Sequence, residues 1–278
     1  MSDKKTIGLI AGGGMLPFLV ARGAKQAGLR VICVGLGDNP EPGLADEVDD
    51  YTQVPLARPS VWIRKLKKQG VTDAIMVGKV HKEKLFTPRR ILKYLPDWRA
   101  LKIYYWRLRK KNKVDQTILQ AIADELASGG IILQDSTKYC SEHLADEGLL
   151  TAVQPDQGIR DDIEFGWDIV RKIAELGIGQ AITVKEKTVI SVEAVEGTGK
   201  MIIRTSQTCK KGGWTLLKAA KPGQDNRFDV PCVGPDTIKT LAENGGVCLV
   251  VEAQKTIILD KPKTIELANK LGVAVLGY

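Results

Sequence analysis

The first half of the chain alternates short apolar runs with amphipathic segments, a pattern typical of strands and helices in turn. The runs TIGLI (6–10), RVICVGL (30–36) and TDAIMVGKV (72–80) predict buried strands, and residues 15–28 and 60–70 have helical periodicity between them. Strands that alternate with helices favour a parallel sheet covered on both faces. We therefore predict an α/β fold whose N-terminal domain is Rossmann-like.

A helical region follows, and then the alternation starts again. Residues 88–127 are helix-like and basic, SGG (128–130) is a typical helix end, and IILQDSTKYC restarts an extended pattern. We place the domain boundary near residue 134, which gives an N-terminal domain of residues 1–134 and a distinct C-terminal α/β domain of residues 135–278. The second domain is predicted to contain helices at about 161–176, 236–244 and 262–271 and strands in AITV, TVISVEAV, WTLLKAA, VCLVVEA, TIIL and VAVLGY.

Composition narrows the classes of function. The 278 residues suit two domains, and a net charge of +8 with a pI of about 9.1 favours anionic partners: phosphate-bearing small molecules, nucleic acid or acidic membranes. Five scattered Cys without a C-x-x-C pair indicate free thiols in a reducing cytoplasm. Only two His are present, which argues against a His-rich metal centre. We predict neither a signal peptide nor a membrane span.

Two strand ends carry candidate anion-binding turns. GLIAGGGMLP (8–17) places three glycines and Met15 where a strand meets a helix, and MVGKV (76–80) ends a second strand. As a dinucleotide fingerprint the first word is imperfect, because Pro17 stands where the third Gly belongs and no acid closes the second strand. An NAD site, another phosphate or sugar site and a simple tight turn all stay open, as does a solvated Lys79.

Two further motifs can be interpreted either as functional or as purely structural. YYWRLRKKNK (104–113) mixes aromatic and basic side chains, which suits base stacking, an anionic lipid surface or a helix with an aromatic core stripe. VEGTGK (195–200) offers Glu196 and Thr198, either as an anion-facing turn or as a helix start capped by Thr198.

The densest cluster of chemistry lies in KPGQDNRFDVPCVGPDTI (221–238). Acidic side chains stand beside Lys and Arg there, and Pro and Gly break the regular structure. Carboxylates that hold a hard divalent cation, next to cations that neutralise phosphate oxygens, are what a metal-assisted phosphoryl reaction needs. A self-neutralising, salt-bridged loop is the alternative.

Taken in order, the motifs of the chain resemble those of the LpxI-type UDP-2,3-diacylglucosamine pyrophosphatase family. The resemblance covers essentially the whole chain and rests on GLIAGGGMLP, VGKV, VDQTIL, GIGQA, VEAVEGT, LLKAAKPGQDNRFDVPCVGPDTI and GVAVLGY. It implies a cytoplasmic enzyme of lipid A biosynthesis that hydrolyses UDP-2,3-diacylglucosamine to UMP and 2,3-diacylglucosamine 1-phosphate. It also implies dependence on a divalent cation, Mg²⁺ by preference, and substrate held between two domains.

Carried onto this chain, the family's essential Asp falls on Asp225. We expect Lys221, Asp225, Arg227 and Asp229 to be catalytic, with Asp225 and Asp229 as metal ligands. The expected substrate-binding residues are Gly12, Gly13, Gly14, Met15, Gly78, Lys79, Gln180, Glu196, Thr198, Lys218, Gln224, Asp236 and Thr237. The chain departs from the family at Gly199 and Gln116, where members commonly carry acids.

Several alternatives remain at this stage. A non-catalytic carrier of acylated nucleotide sugars and an NAD-linked oxidoreductase are the competing functions. Transient contact with the inner-membrane surface and a homodimer are open alternatives, and no nucleic-acid partner is expected.

Overall fold

The computed structural model of the chain describes residues 5–80, 95–109, 115–223, 225–228 and 230–278. The chain forms two compact units, Met1–Cys140 with Asn226–Asp229, and Ser141–Asp225 with Val230–Tyr278. The boundary predicted near residue 134 lies just before the division at Cys140. Nothing in the sequence pattern predicted that Asn226–Asp229 belong to the first unit.

A parallel sheet of five strands forms the centre of the first unit, in the order β3-β2-β1-β4-β5. The strands are β1 (Thr6–Ala11), β2 (Arg30–Leu36), β3 (Asp50–Val54), β4 (Asp73–Val77) and β5 (Ile132–Leu133). The helices are α1 (Leu16–Gln26), α2 (Pro59–Lys68), α3 (Trp98–Arg109) and α4 (Asp115–Ser128). The predicted Rossmann-like parallel sheet is confirmed.

The apolar runs become central strands because both faces of the sheet are covered. β1 and β2 are buried almost from end to end, as expected for parallel strands. Proline stands at the start of both α1 and α2, where its missing N–H costs no hydrogen bond. Leu66 of α2 is fully buried in the core, and truncating it to alanine is expected to cost about 2–5 kcal/mol.

The second unit has a mixed sheet of six strands in the order β6-β13-β11-β9-β7-β8. Its strands are β6 (Gly148–Leu149), β7 (Ala181–Lys185), β8 (Thr188–Val192), β9 (Trp214–Lys218), β11 (Gly246–Val251) and β13 (Ala274–Gly277), with β10 (Cys232–Val233) and β12 (Ile257–Ile258) as a separate parallel pair. Its helices are α5 (Gln157–Glu175), α6 (Thr198–Thr208), α7 (Pro235–Glu243) and α8 (Lys261–Leu271). The predicted distinct C-terminal α/β domain is confirmed.

The parallel part of this sheet determines where its site lies. β9, β11 and β13 run in the same direction, so their carboxyl ends meet at one edge of the sheet. β7 runs antiparallel to β9, which brings the beginning of β7 to the same edge. The end of β8 reaches this edge as well, because β8 is antiparallel to β7.

A tight turn between β7 and β8 makes this antiparallel pairing possible. Glu186 and Lys187 both have left-handed backbone angles, with φ of 50° and 53°, although neither is Gly. The carboxylate of Asp162, only 4% exposed, accepts both of their amide hydrogens, at 3.2 and 2.6 Å. The buried carboxylate thus offsets the conformational cost of the turn.

Several boundaries differ from the sequence-based predictions. The strand predicted over residues 214–220 ends at Lys218, and α5 begins at Gln157 rather than near residue 161. TIIL forms only the two-residue strand β12. α6 does begin at EGTG, but its N-cap is Gly197, so the interpretation of Thr198 as the cap is wrong. Among the described residues, no helix is long and apolar enough to cross a bilayer.

Candidate active-site residues

In the first unit the two predicted anion turns are joined to each other. The amide of Gly12 donates to the carbonyl of Val77 at 2.8 Å. Gly13 and Lys79 exchange two backbone hydrogen bonds, each 2.8 Å long, in an isolated antiparallel bridge. The structure therefore brings the Gly12–Gly14 turn and the Gly78–Lys79 strand end together, next to one another at the edge of the sheet.

Glycine is required at these positions because backbone approaches backbone. A Cβ on Gly12 would lie 2.7 Å from the carbonyl carbon of Gly78, and Gly78 itself has φ of 98°. A Cβ on Gly13 would lie 2.6 Å from the carbonyl oxygen of Asn39. No larger residue fits without moving the turn.

The turn already holds a negative group. The amide of Gly14 donates to the Glu41 carboxylate at 3.2 Å, ahead of the start of α1. Met15 and Lys79 are exposed beside it. A backbone amide that donates to a carboxylate of its own chain is oriented to donate to a phosphate oxygen in the same place.

In the second unit a buried chain of polar groups lies at the carboxyl end of β9. Lys218, 8% exposed, donates from Nζ to Thr198 Oγ1 at 2.9 Å. Thr198 in turn donates to Glu193 Oε1 at 2.6 Å, and Glu193 is 9% exposed. The other carboxylate oxygen of Glu193 accepts the amide of Gln180 at 3.3 Å. Three predicted site residues, Gln180, Thr198 and Lys218, therefore meet around a carboxylate.

Glu193 was not predicted from the sequence, and neither was Glu252. Glu252 follows β11, accepts the amide of Ala220 at 2.8 Å and pairs with Lys255 at 2.6 Å. A polar residue directly after a parallel strand was the signal used for Lys79, and the same rule would have found Glu252. Glu193 directly follows β8, but β8 is antiparallel to its neighbour β7, so the rule for parallel strands does not apply to it.

Glu196 has a different environment from that predicted. Its carboxylate pairs with Arg204 of α6 at 2.5 Å and accepts the amide of Ala194 at 3.2 Å. Hydrogen bonds from its own backbone amide and from Arg204 hold the pKa of Glu196 below its usual value. The side chain thus closes the EGTG turn, and Arg204 is a partner that the sequence did not indicate.

The charged segment continues from β9. The amide of Ala219 donates to the carbonyl of Gln180 at 2.9 Å, and Lys221 and Asp225 beyond it are partly exposed. Between them Gly223 has φ of 67° in a turn. This arrangement brings two of the predicted catalytic side chains into the same segment of the second unit as Lys218.

Asn226 to Phe228 belong to the first unit, and contacts there hold them. The carbonyl of Asn226 accepts hydrogen bonds from the amide and the hydroxyl of Ser136, at 3.0 and 2.5 Å. Arg227 donates to Gln120 at 2.9 Å and stacks over the ring of Phe228, 4.9 Å from its centroid. Phe228 packs against the apolar core of this unit.

The remaining predicted residues of the segment have local contacts or lie outside the description. Asp236 is exposed in the first turn of α7, where an acid favours the positive helix end. Thr237 Oγ1 accepts the amide of Gly234 at 3.4 Å. Gln224 and Asp229 lie outside the described residues. Within the described part of the chain, no group of three or more His, Cys, Asp or Glu is arranged to hold a metal.

The fold and these side chains define a two-domain α/β protein with polar groups gathered at the carboxyl edge of each sheet. The chain belongs to the LpxI family: the model of the LpxI N-terminal domain matches residues 6–143, and that of the LpxI C-terminal domain matches residues 146–276. The resemblance noted in the sequence is thus confirmed.

A curated relative extends the match to the full length. The UDP-2,3-diacylglucosamine pyrophosphatase LpxI of Caulobacter vibrioides is 29% identical over 282 residues, covering 98% of this chain and 97% of the relative.

Solved structures are much less similar. A phosphoribosylglycinamide synthetase from Anaerococcus prevotii shares 13% identity with a TM-score of 0.26, over 72% of this chain and 34% of that one. An N5-carboxyaminoimidazole ribonucleotide synthetase from Thermotoga maritima shares 16% with a TM-score of 0.23, over 68% and 41%. Scores this low carry no conclusion about fold or function.

Proposed function

We propose that the protein hydrolyses the pyrophosphate bond of UDP-2,3-diacylglucosamine in lipid A biosynthesis, releasing UMP and 2,3-diacylglucosamine 1-phosphate. The observation that carries this proposal is the match of both LpxI domain models along the chain, together with the name of the full-length relative. The buried Lys218–Thr198–Glu193 chain beside the charged segment supports it, because a fixed buried cation suits a doubly charged pyrophosphate.

In the proposed reaction a water oxygen bonds to phosphorus while the bridging P–O bond breaks, and its electron pair leaves with the departing phosphate. Asp225 would orient the water or accept its proton. Lys218 and Lys221 would offset the charge that develops on the phosphate oxygens, and Arg227 and Asp229 would assist. The Gly12–Gly14 turn with Lys79 offers backbone amides and a cation to a phosphate group.

The proposal includes Mg²⁺, held by Asp225 with Asp229. Carboxylate oxygens are suitable donors, and Mg²⁺ is often bound by one or two carboxylates together with substrate phosphates and water. A cluster of three protein carboxylates is therefore not required. When bound, the ion would neutralise phosphate charge.

The test is hydrolysis of UDP-2,3-diacylglucosamine with Mg²⁺ and with excess chelator, comparing the wild type with Asp225→Ala. We expect turnover only with metal, and a folded variant without measurable activity. Chelator-insensitive turnover would refute the metal requirement, and near wild-type turnover by the variant would refute the role of Asp225. Heavy-oxygen water would label 2,3-diacylglucosamine 1-phosphate if water meets the β-phosphorus, and UMP if it meets the α-phosphorus.

A carrier without catalytic activity is the competing function. It would copurify with intact UDP-2,3-diacylglucosamine and show no turnover with any divalent cation. The NAD-linked alternative has no support in the LpxI match.

We further propose that the reaction takes place in the cytoplasm. Among the described residues, which include all five Cys, no disulfide is formed, as expected in a reducing compartment. Cell fractionation is the measurement that tests this location.

A further inference from the structure

Helix α3 in the first unit exposes large apolar side chains that an ordinary surface helix would bury. Trp98, Leu101 and Tyr105, spaced at i, i+3 and i+7, are 78%, 46% and 67% exposed, and Tyr104 is 60% exposed. Leu95, just before the helix, is 46% exposed. This set of side chains, called here the α3 aromatic face, thus presents a continuous apolar stripe outward.

Two basic side chains of the same helix attach it to the first unit. Arg99 and Lys102 bind the two carboxylate oxygens of Glu125 in α4, at 2.5 and 2.9 Å. Arg99 also donates to Ser128 at 2.9 Å, and the Glu125 side chain is only 8% exposed. These three contacts fix the rotation of α3 and keep the aromatic face outward, so the exposure does not result from a loosely attached helix.

The charge of the surrounding sequence indicates what covers this face. Residues 82–113 contain twelve Lys and Arg and two acids, a net charge of +10, whereas the whole chain carries +8. The rest of the chain is therefore slightly acidic, and all of the positive excess lies in the sequence that contains and flanks α3. An anionic bilayer surface attracts both such a positive charge and exposed Trp, Tyr and Leu side chains.

We propose that the α3 aromatic face docks the protein on an anionic lipid bilayer, with the aromatic rings at the headgroup level and the basic sequence around α3 attracted to the lipid phosphates. The inference rests on α3 and its charge and does not depend on the proposed hydrolysis. Its failure would leave the enzymatic test unchanged.

The experiment is cosedimentation of the full-length protein with vesicles of phosphatidylcholine alone and of phosphatidylcholine with an equal amount of phosphatidylglycerol. We expect binding to the anionic vesicles only, and loss of binding as salt rises to about 0.5 M. The double variant Trp98→Ser/Tyr105→Ser should lose at least about tenfold in affinity for the anionic vesicles. A matched control, Leu176→Ser/Ile178→Ser, removes two exposed apolar side chains of the second unit, 72% and 53% exposed, and should bind like the wild type.

Three results would overturn the proposal. They are no binding of the wild type to anionic vesicles at low salt, equal binding of the α3 variant, and equal loss of binding in the control. Sedimentation without vesicles tests the other possible occupant, a second copy of the chain. A dimer that the α3 substitutions abolish would mean that a second copy covers the face. Circular dichroism melting of each variant ensures that a lost signal reflects docking and not unfolding.

Discussion

The hydroxyl of Thr198 donates a hydrogen bond to the buried carboxylate of Glu193 at 2.6 Å while it accepts one from Lys218. A hydroxyl with both roles engaged has a fixed orientation, so the position of the Lys218 ammonium depends on Glu193 through Thr198. The carboxylate also holds the amide of Gln180. Glu193 is therefore a positioning residue for the carboxyl edge of the second sheet.

Replacing Glu193 by Gln should lower kcat by about a hundredfold with little change in KM, because a displaced ammonium no longer meets the charge of the transition state. Steady-state hydrolysis of UDP-2,3-diacylglucosamine would measure both constants. The melting temperature should change little, since the amide retains the shape and one acceptor.

Asp162→Asn is the matched control for this prediction. Asp162 is also a buried carboxylate that accepts two hydrogen bonds in the same unit, but both come from the β7–β8 turn. Its variant should melt at a lower temperature and keep kcat per folded molecule. If both variants lose stability and activity in parallel, Glu193 has only a structural role.

Replacing Lys218 by Met should reduce kcat/KM by about a thousandfold, because a buried cation that faces phosphate has no substitute from solvent. Lys185→Met is the comparison, since Lys185 ends β7 at the opposite end from the residue paired with Lys218 and donates to the carbonyl of Gly212 at 2.5 Å. We expect that variant to affect stability only. Equal activity of the two variants would contradict the role of Lys218.

Glu41 accepts the Gly14 amide that we propose for phosphate, so it would compete with the substrate, and Glu41→Gln should lower KM by about two- to fivefold at an unchanged kcat. The expected change in KM is small because one exposed hydrogen bond has a modest net strength. Glu47→Gln is the control, because Glu47 lies nearby but pairs with Arg22 at 2.5 Å. A KM that does not fall, or falls equally in the control, would show that phosphate does not use this turn.

The stability of the first unit should depend on pH through Glu125. Burial raises the pKa of this carboxyl, but Lys102 and Arg99 outweigh burial and leave it below its usual value of 4.5. A lowered folded-state pKa stabilises the fold above the unfolded-state value, and this contribution disappears as pH falls through the folded-state pKa. The urea midpoint of the wild type should therefore fall below about pH 4.5. The Glu125→Gln variant should have a lower midpoint than the wild type at pH 7, and its midpoint should change less as the pH falls.

Much of the fold could be predicted because the local periodicity of apolar residues indicates strands and helices. The apolar runs of β1, β2 and β4 indicate strands at the centre of a sheet, where both faces are buried. The glycines at 12 and 78 mark strand ends where two backbones approach each other. The mixed sheet of the second unit was harder. Its antiparallel hairpin depends on Asp162, which lies more than twenty residues before the turn that it stabilises.

The candidate site divides in the same way. The sequence by itself determined the family, the parallel first sheet and which words carry charge and turns. Only the tertiary structure decided that Glu193 connects Thr198 and Gln180 at the end of β9. It also decided that Glu196 faces Arg204, that Asn226–Phe228 belong to the first unit, and that α3 turns its aromatic side outward. Periodicity constrains residues three or four positions apart, whereas these contacts join segments that meet only once strand order and chain path exist.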